Sequence, residues 1–349
     1  MLDLDRLLRP HLKGMVPYSS ARDEFQGQAS VFLDANENPF GSLAGNNFHR
    51  YPDPHQSVLK EKLAKLKGVS IQQVFLGNGS DEVIDLLFRA FCEPASDQVI
   101  INPPTYGMYS VSARVNNVEI IEVPLTRNFE FDLENTLQSV NDRTKLIFIC
   151  SPNNPSGNLL DKQKILNLVQ AFSGLVVVDE AYIDFADDDG FLPLLDNYDN
   201  LFVMQTFSKA WGMAGLRLGI GYGNPQLIAL LDKIKPPYNI NSYTQQAAWK
   251  SLGNSGQQRQ WVAEILQQRN WLKNQLEQLE LVDKVYPSDA NFLLAVFSDP
   301  KGVYSYLVDN HIIVRDRSKV QLCEGSLRIT VGTNEENRQL IQYLEKYGQ

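Results

Sequence analysis

Cysteine is scarce in this sequence: Cys92, Cys150 and Cys323 stand far apart among 349 residues and never form C-x-x-C. Neither a disulfide framework nor a zinc site is signalled, and a reducing cytoplasm is the expected setting. The four histidines, His11, His49, His55 and His311, show no ligand spacing, so none is assigned to a metal or to acid–base catalysis. No apolar run approaches the roughly 18 residues needed to cross a bilayer. The N-terminal stretch MLDLDRLLRPHLKGM carries charge from its third residue, unlike a signal peptide. Basic residues are outnumbered, 32 Lys and Arg against 41 Asp and Glu, and the formal charge of -9 argues against nucleic acid or an anionic membrane as a bulk partner. Internal repeats are missing. So is the dinucleotide fingerprint, because G-x-G-x-x-G would need glycine where Glu82 stands, and no G-K-[ST] follows.

What is present is a chain with 43% hydrophobic residues, long enough for two domains or one large domain with a smaller companion. Short apolar runs recur at 74–77, 98–101, 118–123, 145–150, 175–179, 201–206 and 218–223 and read as buried strands. Between them, DEVIDLLFRAF and DKQKILNLVQAF place apolar residues three and four apart, the period of a helix packed on one face. The expected fold is α/β, a mostly parallel central sheet with helices on both faces. After residue 240 a long helix near 255–280 precedes the strands NFLLAVF and SLRITVG around another helix, which predicts a smaller α+β domain. The expected division is an N-terminal arm over 1–44 that contributes to the small domain and the substrate pocket, a large domain over 45–250, and a small domain over 251–349.

In open α/β sheets ligands bind beyond the carboxyl ends of the strands, so the polar residues after each apolar run are the candidates. LVVVD ends in Asp179, an acid costly to bury without a partner, although a cap or turn residue is the plainer reading. LFVMQT leads to Ser208, Lys209 and Arg217 among small residues that let a ligand approach the backbone. KLIFIC runs into SPNNPSGN, a proline-rich turn presenting Asn154. VFLGNGSDEVIDLLF is strand, glycine turn and helix, and its free N–H groups at Gly79, Ser80 and Asp81 form an anion site. A phosphate site, an imine-forming lysine and a carboxylate to keep a pyridine nitrogen protonated are together the requirements of pyridoxal 5'-phosphate.

The order G-N-G-S-D-E, P-T-Y, S-P-N-N-P-S-G, D-E-A-Y, S-K-A-W-G-M-A-G-L-R and S-L-R-I-T-V-G-T resembles the fold-type-I aminotransferases, and within them the histidinol-phosphate aminotransferases, over nearly the whole chain. By that resemblance Lys209 carries the cofactor and serves as the proton-shuttling base. Asp179 pairs with the ring nitrogen, Asn154 and Tyr182 bond the phenolic oxygen, and Tyr106 stacks on the ring. Ser80, Asp81, Ser208 and Arg217 hold the phosphate, and Tyr51 reaches the phosphate of the other subunit, which implies a homodimer. Arg315 and Arg328 are implied in binding the anionic substrates, histidinol phosphate and 2-oxoglutarate or glutamate, with Tyr18 closing the pocket. The implied reaction, amino transfer giving imidazole-acetol phosphate and glutamate, belongs to histidine biosynthesis. Aromatic amino acid transamination, decarboxylation of threonine phosphate and a non-catalytic cofactor-binding regulator remain as alternatives. Ser156 stands where threonine is common and Trp211 where phenylalanine is frequent, and neither change removes a catalytic group.

Overall fold

The computed structural model describes residues 3–20, 30–45 and 48–348. Its helices, in chain order, are α1 (Leu4–Leu7), α2 (Ser57–Lys67), α3 (Ser80–Phe91), α4 (Met108–Val115), α5 (Leu133–Gln138), α6 (Lys162–Ala171), α7 (Pro225–Ile234), α8 (Ser242–Ser251), α9 (Ser255–Leu276), α10 (Pro300–Asp309) and α11 (Asn334–Tyr347). Seven strands, β1 (Val74–Asn78), β2 (Gln98–Ile101), β3 (Glu119–Glu122), β4 (Thr144–Cys150), β5 (Leu175–Asp179), β6 (Leu201–Thr206) and β7 (Leu218–Tyr222), form one sheet in the order β1-β7-β6-β5-β4-β2-β3. All seven apolar runs of the sequence are therefore strands. Pairing is parallel from β6 to β3, and β7 alone runs antiparallel to both its neighbours.

Alternation along the strands buries both faces of this sheet, as a parallel sheet requires. Ile147, Ile149, Val176 and Val178 join one apolar cluster with Ile165 and Leu168 of α6 and Leu59 and Leu63 of α2. Leu146, Phe148, Leu175 and Val177 join the other, with Val83, Leu87 and Phe91 of α3 and Leu227 and Leu231 of α7. Helix α3 shows why these segments are helical: its apolar residues recur three and four apart, and Asp81 and Glu82 lie in its first turn, where acids complement the helix dipole.

A second, antiparallel sheet has the order β10-β11-β9-β8, from β8 (Val282–Val285), β9 (Phe292–Phe297), β10 (Arg315–Asp316) and β11 (Ser326–Thr330). One face, with Leu293, Ala295, Leu327 and Ile329, packs on α9, α10 and α11. The other face turns to the large sheet, where Leu294 joins the large core and Phe292 meets Tyr182. At the start of the arm, Leu7 packs into the large sheet's core, Arg9 N–H bonds Ala90 O of α3 and Lys233 Nζ of α7 donates to Leu12 O, so residues 4–12 dock on the large sheet's helices. The part of the arm over 21–29 lies outside the described residues. All three cysteines are buried and free.

The reversed strand β7 is possible beside α3 only because it carries glycine. A Cβ on Gly219 would stand 2.3 Å from Ser80 N and 2.4 Å from Gly79 C, both backbone atoms that cannot step aside. Gly219→Ala is expected to destabilise the fold by about 1–3 kcal/mol through overpacking, read as a lower urea midpoint; an unchanged midpoint contradicts this close packing.

Candidate active site

Parallel strands present their carboxyl ends at one edge of the sheet, and the chain leaves β1, β4, β5 and β6 there at Asn78, Cys150, Asp179 and Thr206. Because β7 runs the opposite way, its entry residue Arg217 arrives at that same edge. A cavity of about 140 Å³ opens among them, lined by Ser80, Asp81, Tyr106, Cys150, Asn154, Asp179, Ala181, Tyr182, Thr206, Ser208, Lys209, Ala214 and Arg217. Nine of the residues singled out in the sequence, Ser80, Asp81, Tyr106, Asn154, Asp179, Tyr182, Ser208, Lys209 and Arg217, thus line one cavity. A larger groove of about 670 Å³ lies at the opposite edge, near Asn141, Gly174 and Asn200, and holds no buried charge.

Asp179 is the deepest charge in the cavity. It is buried, and it accepts from Tyr109 Oη at 2.6 Å and from Ala181 N at 3.0 Å. Burial raises its pKa above the usual carboxylate range, while these two donors pull the other way by bonding the ionised form. Tyr109 is itself fully buried, stacked on Phe148 at 4.8 Å and meeting the edge of Tyr106 at 5.6 Å. The sequence reading missed Tyr109. Its one signal was the spacing of three from Tyr106 in PTYGMY, which an ordinary core tyrosine at the start of a helix shares.

Across from Asp179, Lys209 follows β6 in the short turn to Gly212, with Nζ 5.5 Å from the Tyr182 ring centroid. Among the described residues its amine has no hydrogen bond or ion pair. Burial lowers its pKa from the ordinary lysine value, and the neighbouring Arg328 adds to that effect. Asn154 Nδ2 donates to Tyr182 Oη at 3.3 Å, and Arg328 Nη1 donates to Asn154 Oδ1, so β11 of the small sheet reaches the large sheet's edge. Tyr182 packs edge-on against Phe292, and burial drives its hydroxyl pKa up.

The third corner is the start of α3, whose first N–H groups have no partner within the helix. Gly79 turns there with φ of 77°, and a Cβ on it would stand 2.7 Å from Arg217 Nη2, so glycine is what lets the guanidinium reach this helix end. Arg217 Nη2 bonds Asp81 Oδ2 at 3.3 Å, and Tyr106 Oη bonds Asp81 Oδ1 at 3.2 Å. Ser208 N is held by Thr206 Oγ1 at 3.1 Å. Amides, guanidinium and hydroxyl converge as an anion cradle requires.

Four sequence candidates lie outside the cavity lining: Arg328, which reaches Asn154 from β11, and Tyr18, Tyr51 and Arg315. Tyr18 is 71% exposed and Tyr51 is 52% exposed, the latter stacked on Tyr238 at 4.5 Å. Arg315 is exposed on β10, directly opposite Arg328 in the strand register. Glu180, adjacent to Asp179, faces the other side of the sheet. It accepts from Gln205 Nε2 at 2.9 Å and Phe191 N at 2.5 Å, and burial pushes its pKa up to about 7. It fastens the loop after Tyr182 and was not singled out in the sequence.

The arrangement fits pyridoxal 5'-phosphate on its own chemistry: an unpartnered, partly desolvated lysine amine, a dry carboxylate opposite it, and an anion cradle at the third corner. A family model described as aminotransferase class I and II matches residues 22–344. The chain is 55% identical over 344 residues to histidinol-phosphate aminotransferase of Cytophaga hutchinsonii and 51% identical over 345 residues to that of Parabacteroides distasonis, with 99% of each chain covered in both comparisons. In fold it is similar to the Sinorhizobium meliloti histidinol-phosphate aminotransferase in complex with pyridoxal-5'-phosphate, with a TM-score of 0.81, 22% identity, and 97% of this chain and 96% of that one covered. The cavity at the carboxyl edge of the sheet is thus the site of a chain that belongs to the aminotransferase class I and II family, among the histidinol-phosphate aminotransferases.

Proposed function

We propose that this pyridoxal-phosphate-dependent aminotransferase moves an amino group reversibly between L-histidinol phosphate and 2-oxoglutarate, giving imidazole-acetol phosphate and L-glutamate. The observation that carries the chemistry is the unpartnered Lys209 amine in a cavity floored by the buried Asp179. The names of the relatives support the substrate. When bound, the cofactor supplies an aldehyde that exchanges with amino groups and a ring that withdraws electrons from the substrate's α-carbon.

Each residue then has a task. Lys209 Nζ anchors the cofactor and, once free, takes the α-carbon proton and returns it; its lowered pKa keeps more of the amine neutral and basic near neutral pH. Asp179 holds a proton on the ring nitrogen, and the hydrogen bonds from Tyr109 and Ala181 favour its ionised form against burial. Asn154 and Tyr182 bond the phenolic oxygen, and Tyr106 covers the ring and excludes water. Ser80, Asp81, Ser208 and Arg217 hold the phosphate, the first two through their backbone amides. Arg328 and Arg315 bind the anionic ends of both substrates. Tyr51 stands outside its own cavity among exposed apolar side chains that include Phe48 and Tyr243. That position supports a homodimer in which Tyr51 serves the partner's site, with Tyr18 of the arm closing the substrate pocket. The large unit then spans 45–250 and the small one 251–349.

Borohydride treatment of the holoenzyme is expected to fix the cofactor on Lys209 alone, and Lys209→Ala to lose turnover by several orders of magnitude. A label on another residue, or near-normal turnover, contradicts the assignment. With 2-oxoglutarate as acceptor, kcat/KM for L-histidinol phosphate should exceed that for L-phenylalanine; the reverse order makes the protein an aromatic aminotransferase. Carbon dioxide released from threonine phosphate without consumption of keto acid makes it a decarboxylase.

Tyr109→Phe tests the carboxylate directly. Loss of the donor raises the proton affinity of Asp179, so Asp179 becomes protonated at a higher pH and its hold on the ring nitrogen is lost earlier as pH falls. The acid limb of cofactor retention, followed by visible absorbance, should move to higher pH, and an unchanged limb removes Tyr109 from this role.

A further inference from the structure

The small sheet sets more positive charge beside the cavity than the two arginines assigned so far. In an antiparallel ladder, residues directly opposite share a face and neighbours along a strand alternate. Arg315 is opposite Arg328, and Arg317 N bonds Ser326 O at 2.9 Å, continuing the same ladder by one pair. Arg315, Arg317 and Arg328 therefore lie on one face. It is the face that carries Leu294, opposite Arg328 on β9, into the large core, and it sends Arg328 to Asn154 and over the Phe292 ring at 5.2 Å. Leu327 and Ile329 point the other way into the small core.

Like charges placed opposite each other across a ladder repel, and proteins ordinarily offset this with an acid. Here none of the three guanidinium groups has a carboxylate within ion-pair distance among the described residues. Asp316, the nearest acid in sequence, lies on the opposite face and accepts from the Ser318 amide at 2.8 Å and hydroxyl at 2.6 Å. On the arginine face two polar atoms are buried without a partner, Arg328 Nε and Ser326 Oγ. Native proteins leave few buried polar groups open in this way, and a bound ion or water is one partner that such groups take. Arg317 is half-buried, and its pKa is lowered by burial and then by Arg328 and Arg315, in keeping with three cations facing one another.

We propose that Arg317 is a specificity-determining residue that joins Arg315 and Arg328 in a three-guanidinium site for the dianionic phosphate end of a phosphomonoester amino donor. The inference rests on the proposed function and narrows it. A carboxylate carries one charge and is gripped by one planar guanidinium, whereas a phosphate monoester near neutral pH carries close to two charges and three acceptor oxygens. Two arginines suffice for the carboxylates of glutamate and 2-oxoglutarate, and the third sets the preference for a phosphorylated donor.

The test compares wild type, Arg317→Gln and Arg317→Lys as holoenzymes. Arg317→Gln should raise the KM for L-histidinol phosphate on the order of tenfold to a hundredfold, the range for a lost charge-assisted bond, and leave the KM for L-glutamate close to wild type. Arg317→Lys should fall between. Inorganic phosphate should inhibit wild type against L-glutamate, with a Ki that rises in Arg317→Gln. Equal increases in both KM values, or none in either, overturn the proposal. If wild type does not use L-histidinol phosphate, the substrate reading falls by itself, and the phosphate Ki alone decides Arg317: the same value in wild type and Arg317→Gln refutes the site.

Discussion

An aspartate held dry at the end of a buried strand is the constraint on which the site depends. Removing a carboxylate from water is costly unless donors replace the lost hydration. Asp179 has two such donors, and each comes from a different part of the fold: Ala181 N from the turn that leaves β5, and Tyr109 Oη from α4. Tyr109 can make its contact only because it is wedged against Phe148 of β4 in the core beneath the sheet. The hydrogen bond to the carboxyl at the cavity floor thus depends on how helix α4 packs against the core.

The same economy of position appears at the other corners. Four strands end at the site, and one begins there because it runs backwards, which is how Arg217 comes to face the amino end of α3. Two glycines make that approach sterically permissible, Gly79 by its left-handed turn and Gly219 by leaving room for the helix backbone. Glu180 works on the far side of the sheet from Asp179. Its bonds to Gln205 and Phe191 tie the ends of β5 and β6 to the loop that follows Tyr182, so the elements carrying Asp179, Tyr182 and Lys209 are fastened together from behind.

The small sheet reaches the cavity through one face only. Phe292 against Tyr182 supplies apolar contact, and Arg328 on Asn154 supplies a polar one. Arg315 and Arg317 share that face with Arg328, so the small sheet brings cationic side chains toward the cavity, while the large sheet floors it with the buried carboxyl of Asp179. This division suits a reaction in which both amino donor and acceptor are anions and the ring nitrogen of the cofactor carries a proton.

Local patterns in the chain were enough to read all seven strands of the large sheet, the helices α3, α6 and α9, and the cavity residues Ser80, Asp81, Asn154, Asp179, Ser208, Lys209 and Arg217, whereas Tyr106 and the role of Tyr182 came from the family resemblance. Strand runs and helical periods are short-range signals, and the polar residues of an α/β site follow directly after them. What no local pattern carried was partnership across the fold. Tyr109, three residues after Tyr106, reads as a core tyrosine until β5 sets Asp179 beside it. Glu180 reads as one more acid in D-E-A-Y until alternation turns it to the opposite face. The docking of residues 4–12 on the large sheet depends on where apolar surface is left uncovered, and the shared face of Arg315, Arg317 and Arg328 depends on strand register. Both are fixed by packing between segments distant in sequence, which is why only the tertiary structure decided them.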